Sequence, residues 1–211
     1  GPMAAACLPR GRQRAIDALK QFLPNIYPVE SVLVSGFGDL SAAVEIPSLI
    51  LGGAGLESGG PTVPMGGVPL SENKTFAALI GDDQLSLIHG LAEQRRQVAG
   101  AFGVRDLPEN DAWVATYAGS LRGTGSRPVP KRQSARGMMR DGVLGSLVPL
   151  VSAATLAGIA TPLTDSLIAM TDRILGADVA AAGRRLETIG VTAGNVDQAR
   201  RIFDKIATGG S

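Results

Sequence analysis

At 211 residues, with 45% hydrophobic and 18% charged side chains, the chain is long enough to bury a sizeable core and too apolar to be disordered. Twenty basic residues against 19 acidic ones leave a formal charge of +1, which supplies no long-range field to gather nucleic acid or an anionic membrane. One cysteine, Cys7, and one histidine, His89, exclude an intramolecular disulfide and a Cys/His metal centre, so the chain is expected to be metal-free and cytoplasmic.

Gly1–Met3 reads as a cleavage scar and Gly209-Gly210-Ser211 as a flexible tail, with a single domain over 4–208 between them. Ala4 to Pro9 is short, apolar and stopped by proline, as the end of a strand would be. From Gly11 to Leu23, Ile16, Leu19 and Leu23 recur at helical spacing before Pro24, which predicts a surface helix. Ser31-Val32-Leu33-Val34-Ser35 is β-branched and predicts a strand, then a turn at Gly36-Phe37-Gly38-Asp39. The next run, 40–51, is apolar except for Ser41, Glu45 and Ser48, and the Gly- and Pro-rich stretch from Gly52 to Pro69 is expected to be a long surface loop able to act as a lid.

Helices then dominate. One is expected from Ser71 to about Ile80, and a longer one, capped by Asp82 or Asp83, reaches Phe102 with Leu87, Leu91, Val98 and Phe102 on one face. Another runs from about Glu109 to Leu121 and carries Trp113 and Tyr117 one turn apart. Arg127, Lys131, Arg132, Arg136 and Arg140 form the one local basic excess, read as a solvated loop or an anion site. Further helices are expected over about 136–157, with a bend at Pro149, then 162–175, 179–189 and 195–207. The run from Val143 to Ile159 is roughly long enough to cross a bilayer, but its Gly, Ser, Thr and Pro residues favour a buried core helix. No strand leads into G-x-G-x-x-G or G-x-x-x-x-G-K-[ST], and no βαβ alternation occurs, so a nucleotide-binding fold is not expected.

Arg136-Gly137-Met138-Met139-Arg140-Asp141, Leu147-Val148-Pro149-Leu150, Leu156 to Pro162, and Gly183-Arg184-Arg185-Leu186-Glu187 with Gly190 resemble the C-terminal helical domain of the octopine/nopaline (opine) dehydrogenase family. Leu8-Pro9 and Phe22-Leu23-Pro24 look like the chain leaving that family's Rossmann domain. The resemblance implies a mostly α, single helical-bundle domain of the opine/6-phosphogluconate dehydrogenase type, with a short strand remnant at its amino-terminal end. In the family this domain binds amino-acid and keto-acid substrates, the Rossmann domain presents NAD(P)H, and a histidine paired with an aspartate moves protons. Laid without gaps over 38–47, the family's asparagine position carries Asp39 and its histidine position Glu45. Shifted by one, the histidine position carries Ile46, so neither alignment retains the imidazole. The family's Glu-Asp pair becomes Arg140-Asp141, and one extra residue is needed between Asp141 and Pro149.

Two carboxylates meeting in an apolar wall, Glu45 and Asp141 with Asp39 assisting, would give an acid and a base for a cyclisation, isomerisation or dehydration that needs no hydride and no cofactor. The other reading of the same residues is that Glu45 faces solvent or caps a turn and Asp141 caps its helix. Trp113, Tyr117, Arg136 and Arg140 are candidates for holding a small amino- or keto-acid-derived substrate, although an aromatic pair at helical spacing is more often core. His89 fits a half-buried helix position, and Cys7 has no base beside it. Two functions stand: a free-standing non-redox biosynthetic enzyme, or a substrate-binding or scaffold domain of an NAD(P)-dependent dehydrogenase. Apolar surface around Leu8, Val32 and Leu33 is expected to be covered in a homodimer.

Overall fold

The computed structural model describes residues 3–5, 13–29, 31–52, 76–112, 129–130 and 132–208. At its amino-terminal end two three-residue strands, β1 (Met3–Ala5) and β2 (Ile26–Pro28), pair in parallel with Met3 opposite Ile26, joined through helix α1 (Gln13–Phe22). β1 is the short strand expected there. The rest of the described chain is helical or connecting: α2 (Val32–Gly38), α3 (Ser41–Gly52), a 3-10 turn at Phe76–Leu79, α4 (Asp82–Ala101), α5 (Arg132–Gly142), α6 (Val148–Ala157), α7 (Pro162–Leu175) and α8 (Val196–Thr208). The domain is therefore mostly α.

The strand expected over 31–35 is helix α2 instead. Ser31 accepts a hydrogen bond from the Leu33 N–H and so caps a helix, and Leu33, Val34 and Phe37 turn towards the core at helical spacing. Local β propensity loses here because Phe37 packs on Phe102, ring centroids 5.7 Å apart, at the far end of α4. Val32–Leu51 is long and apolar enough to cross a bilayer by count alone, but Asp39 divides it into α2 and α3 and half of it is buried.

Helix α3 is apolar nearly all round and is buried nearly all round, from Ala42 to Leu49 with Glu45 half-exposed. Asp39 starts it, accepting from the Ser41 N–H and from the Ser41 hydroxyl, both at 2.9 Å. Pro47 lies inside it and removes one rung of the backbone ladder, and Ser48 donates its hydroxyl to the Val44 carbonyl at 2.6 Å. Helix α5 crosses α3 at Gly142, where a Cβ would lie 2.9 Å from Ile46 Cδ1 and 3.2 Å from Ala42 Cβ. Glycine is what lets these two helices approach so closely.

Between α5 and α6 the helix does not stop. Val143–Leu147 forms a π-turn, with the Val148 N–H reaching back five residues to the Val143 carbonyl. In that register Pro149, which has no N–H, leaves the Leu144 carbonyl unserved, and the Arg184 N–H takes it at 3.0 Å. A π-turn is one residue more than an α-turn needs, and it falls in the interval where the resemblance required one extra residue. The bend expected at Pro149 is thus a change of register just before it.

That bond also explains why 179–189 is not the continuous helix its composition suggests. The segment is two 3-10 turns, Ala180–Ala182 and Glu187–Ile189, with extended Gly183 between them. A Cβ on Gly183 would lie 2.5 Å from Val148 Cγ1, so the chain has to pass α6 at a glycine. The basic cluster is corrected too: Arg132, Arg136 and Arg140 lie on α5 rather than in a loop, while Arg127 and Lys131 lie outside the described residues.

Helix ends are closed by specific groups. Gln94 on α4 is buried and its Oε1 accepts from both the N–H and the hydroxyl of Thr164, in the first turn of α7. Gly158 and Gly176 take positive φ at the ends of α6 and α7, and Asn195 caps α8 through the Gln198 N–H. Buried Arg95 ties α4 to two neighbours, donating to the Gly36 carbonyl of α2 at 3.2 Å and to Ser146 Oγ in the π-turn at 2.6 Å.

Candidate functional site

The crossing of α3 and α5 carries the acids singled out in the sequence. Glu45 sits beside Ile46 on one helix and Asp141 beside Gly142 on the other, one residue from the point of closest approach on each side. Their surroundings differ. Glu45 is the only ionisable residue of α3 and is half-buried between fully buried neighbours. Asp141 has a side chain 70% exposed, with an oxygen 3.4 Å from Nε of Arg140, itself mostly exposed. Asp39 is engaged at the start of α3 by the two bonds from Ser41.

Asp141 precedes the π-turn. One extra residue rotates the two flanking parts of a helix against each other by about 100°, so the direction of Asp141 relative to α6 is set by that turn. Glu45 is half-buried and Asp141 largely exposed, so the two carboxylates are not enclosed together.

The remaining candidates separate into distinct roles. Arg136 donates from both terminal nitrogens to the Ile174 and Leu175 carbonyls, at 3.0 and 2.9 Å, where a cation also meets the negative end of the α7 dipole. It closes a helix. Arg140 points outward beside Asp141 and keeps its guanidinium accessible. Trp113 and Tyr117 lie outside the described residues, as do Cys7 and Leu8. His89 is 36% exposed on α4, with Nδ1 3.6 Å from an Asp111 oxygen, in keeping with a half-buried helix histidine.

Among the described residues no group of three or more His, Cys, Asp or Glu side chains is arranged to hold a metal ion. A groove lies between α6, α7 and the turns at 180–189, with a volume of about 390 Å³. Its rim includes Ser152, Asp165, Arg185 and Glu187. In the sequence Arg185 and Glu187 stand out only as part of a motif; no local signal ties them to residues of two other helices.

No family profile matches the sequence, and no curated protein matches it. Among solved structures the fold is similar to octopine dehydrogenase, in a structure described with NADH and L-arginine, at a TM-score of 0.58 and 15% identity. The match covers 92% of this chain and 54% of that one, so the chain spans about half of its length. At that identity the likeness speaks for the fold alone, and that fold is a distant opine dehydrogenase-like one.

Proposed function

We propose that this domain binds a small amino- or keto-acid-derived molecule, imine-like or carbonyl, and moves protons on it without hydride transfer, as a cyclase, isomerase or dehydratase. The observation that carries the reading is Glu45: the single carboxyl group of a helix otherwise buried from Ala42 to Leu49, at the position where the resemblance places the family's imidazole. Glu45 exchanges the substrate proton within the apolar wall, and Asp141, at the wall's solvent edge, passes it to water. Arg140 offers an accessible guanidinium to a substrate carboxylate. Asp39 serves this chemistry by fixing the start of α3.

The test is proton exchange in D2O, monitored by NMR, on pyruvate mixed with a panel of amino acids so that the imines form in place. Wild-type protein is expected to accelerate deuterium entry next to the carbonyl carbon. Glu45→Gln and Asp141→Asn are each expected to lower that rate by about 100-fold or more while circular dichroism stays unchanged. Full activity in both variants would remove the pair. Exchange or reduction that occurs only with NAD(P)H and an added cofactor-bearing domain would favour the other reading, a substrate-binding half of a dehydrogenase.

Self-association belongs to the same proposal, at a surface other than the one expected. Val32 and Leu33 are half-buried against the body of the domain, whereas Leu19, Phe22, Leu23 and Tyr27 around α1 are exposed, Phe22 by 80%. Sedimentation at micromolar concentration is expected to show a dimer that Phe22→Ser shifts towards monomer. A wild-type monomer would dismiss this part.

A further inference from the structure

The groove between α6, α7 and the turns at 180–189 lies away from the α3–α5 crossing, and neither Glu45 nor Asp141 lines it. Its floor is aliphatic, with Val148, Val151, Leu156 and Ile168 along it. Its α6 side runs from Val148 to Leu156, about 12 Å of helix at 1.5 Å per residue. A volume near 390 Å³ falls within the range of small-molecule sites.

The charged groups at its rim are organised. The Arg185 guanidinium donates to the Ala180 and Ala181 carbonyls, at 3.2 and 3.3 Å, which anchors the side chain to the adjoining turn and leaves other N–H groups for a ligand. Ser152 Oγ accepts from the Leu186 N–H at 3.1 Å, which ties the turn carrying Arg185 and Glu187 to α6. Asp165 opens the other side from the first turn of α7, where one of its oxygens accepts from the Thr161 hydroxyl at 3.4 Å. Oppositely charged side chains sharing one groove would ordinarily collapse onto each other. Neither Asp165 nor Glu187 has an oxygen within 4.0 Å of the Arg185 nitrogens.

We propose that this groove is a second binding site, for a linear aliphatic zwitterion whose carboxylate meets Arg185 and whose ammonium group meets Asp165 and Glu187. Charge complementarity sets both ends and the apolar floor takes the methylene chain between them. An aliphatic acid or amine alone satisfies only one end. Two carboxylates against one guanidinium leave a surplus negative charge that favours an ammonium end over a second carboxylate, so a dicarboxylate is disfavoured.

The probe is 6-aminohexanoate, titrated into the methyl-labelled full chain and monitored by NMR at Val151 and Ile168. Saturable shifts at millimolar concentration are expected, with affinity about tenfold above that of hexanoate or hexylamine. Arg185→Gln and Asp165→Asn are each expected to weaken 6-aminohexanoate by about tenfold, both at exposed positions where thermal unfolding reports any structural loss. Glu45→Gln is expected to leave binding unchanged, which separates this site from the proposed catalytic one. No saturable shift at tens of millimolar, equal binding of hexanoate, or wild-type affinity in Arg185→Gln would each overturn the proposal.

Discussion

Ile46→Ala is expected to destabilise the domain by about 2–5 kcal/mol, because Ile46 is fully buried where α5 meets α3 and its removal leaves a cavity between two helices. For a domain of this size each kcal/mol lowers the thermal midpoint by about 2–4 °C. Gly142→Ala addresses the same contact from the other side. Its new methyl group would lie 2.9 Å from Ile46 Cδ1, and such overpacking costs about 1–3 kcal/mol. Ile46→Val deletes the atom that is struck, so Gly142→Ala should cost less in that background, with a coupling of about 0.5–3 kcal/mol. Chemical denaturation of the four proteins measures it. Strict additivity would mean that α5 does not rest on Ile46. The same crossing holds the candidate acids Glu45 and Asp141, one residue away on either side.

Gln94→Met is the second large effect. One side-chain oxygen from the middle of α4 accepts both the N–H and the hydroxyl of Thr164, all of it buried. Methionine keeps the volume and removes the acceptor, so two donors lose their partner at the start of α7, at about 1–3 kcal/mol for each group stranded. Adding Thr164→Val removes one of those donors and should recover part of the loss, leaving the backbone N–H as the remainder. A Gln94→Met protein within about 0.5 kcal/mol of wild type, on the scale at which surface changes fall, would show that the cap carries no stability.

The π-turn at 143–147 joins several parts of the fold. It lets Pro149 sit within an otherwise continuous helical rod, hands the Leu144 carbonyl to Arg184, and brings Ser146 to the buried guanidinium of Arg95. By rotating α5 relative to α6 it also sets the direction of Asp141, whose side chain is largely exposed beside Arg140.

Much of the helical order is legible from residues alone. Pro162 through Leu175 carries its own start and stop, a proline in the first turn and a glycine just past the end, and its observed limits are those expected. The long run ending near Phe102 and the last helix, capped by Asn195, are equally plain, because periodicity is a local property, although the former starts at Gly81, whose N–H the Gln84 side chain accepts, rather than at a cap by Asp82 or Asp83. The strand-like 31–35 and the helix-like 179–189 depart from local expectation for one shared reason. In each, a distant contact overrides local propensity: Phe102 packs on Phe37 in the first, and in the second the Leu144 carbonyl takes the Arg184 N–H while Val148 lies close against Gly183. The acids can be named from the chain, but not their environments, since burial of Glu45 and exposure of Asp141 depend on how α3, α5 and the π-turn pack. Sequence by itself determined a helical domain with caps and a candidate carboxyl group. Tertiary structure alone decided which acid is half-buried and which residues of three separate segments line one groove, because burial and proximity are made by contacts between residues far apart in the chain.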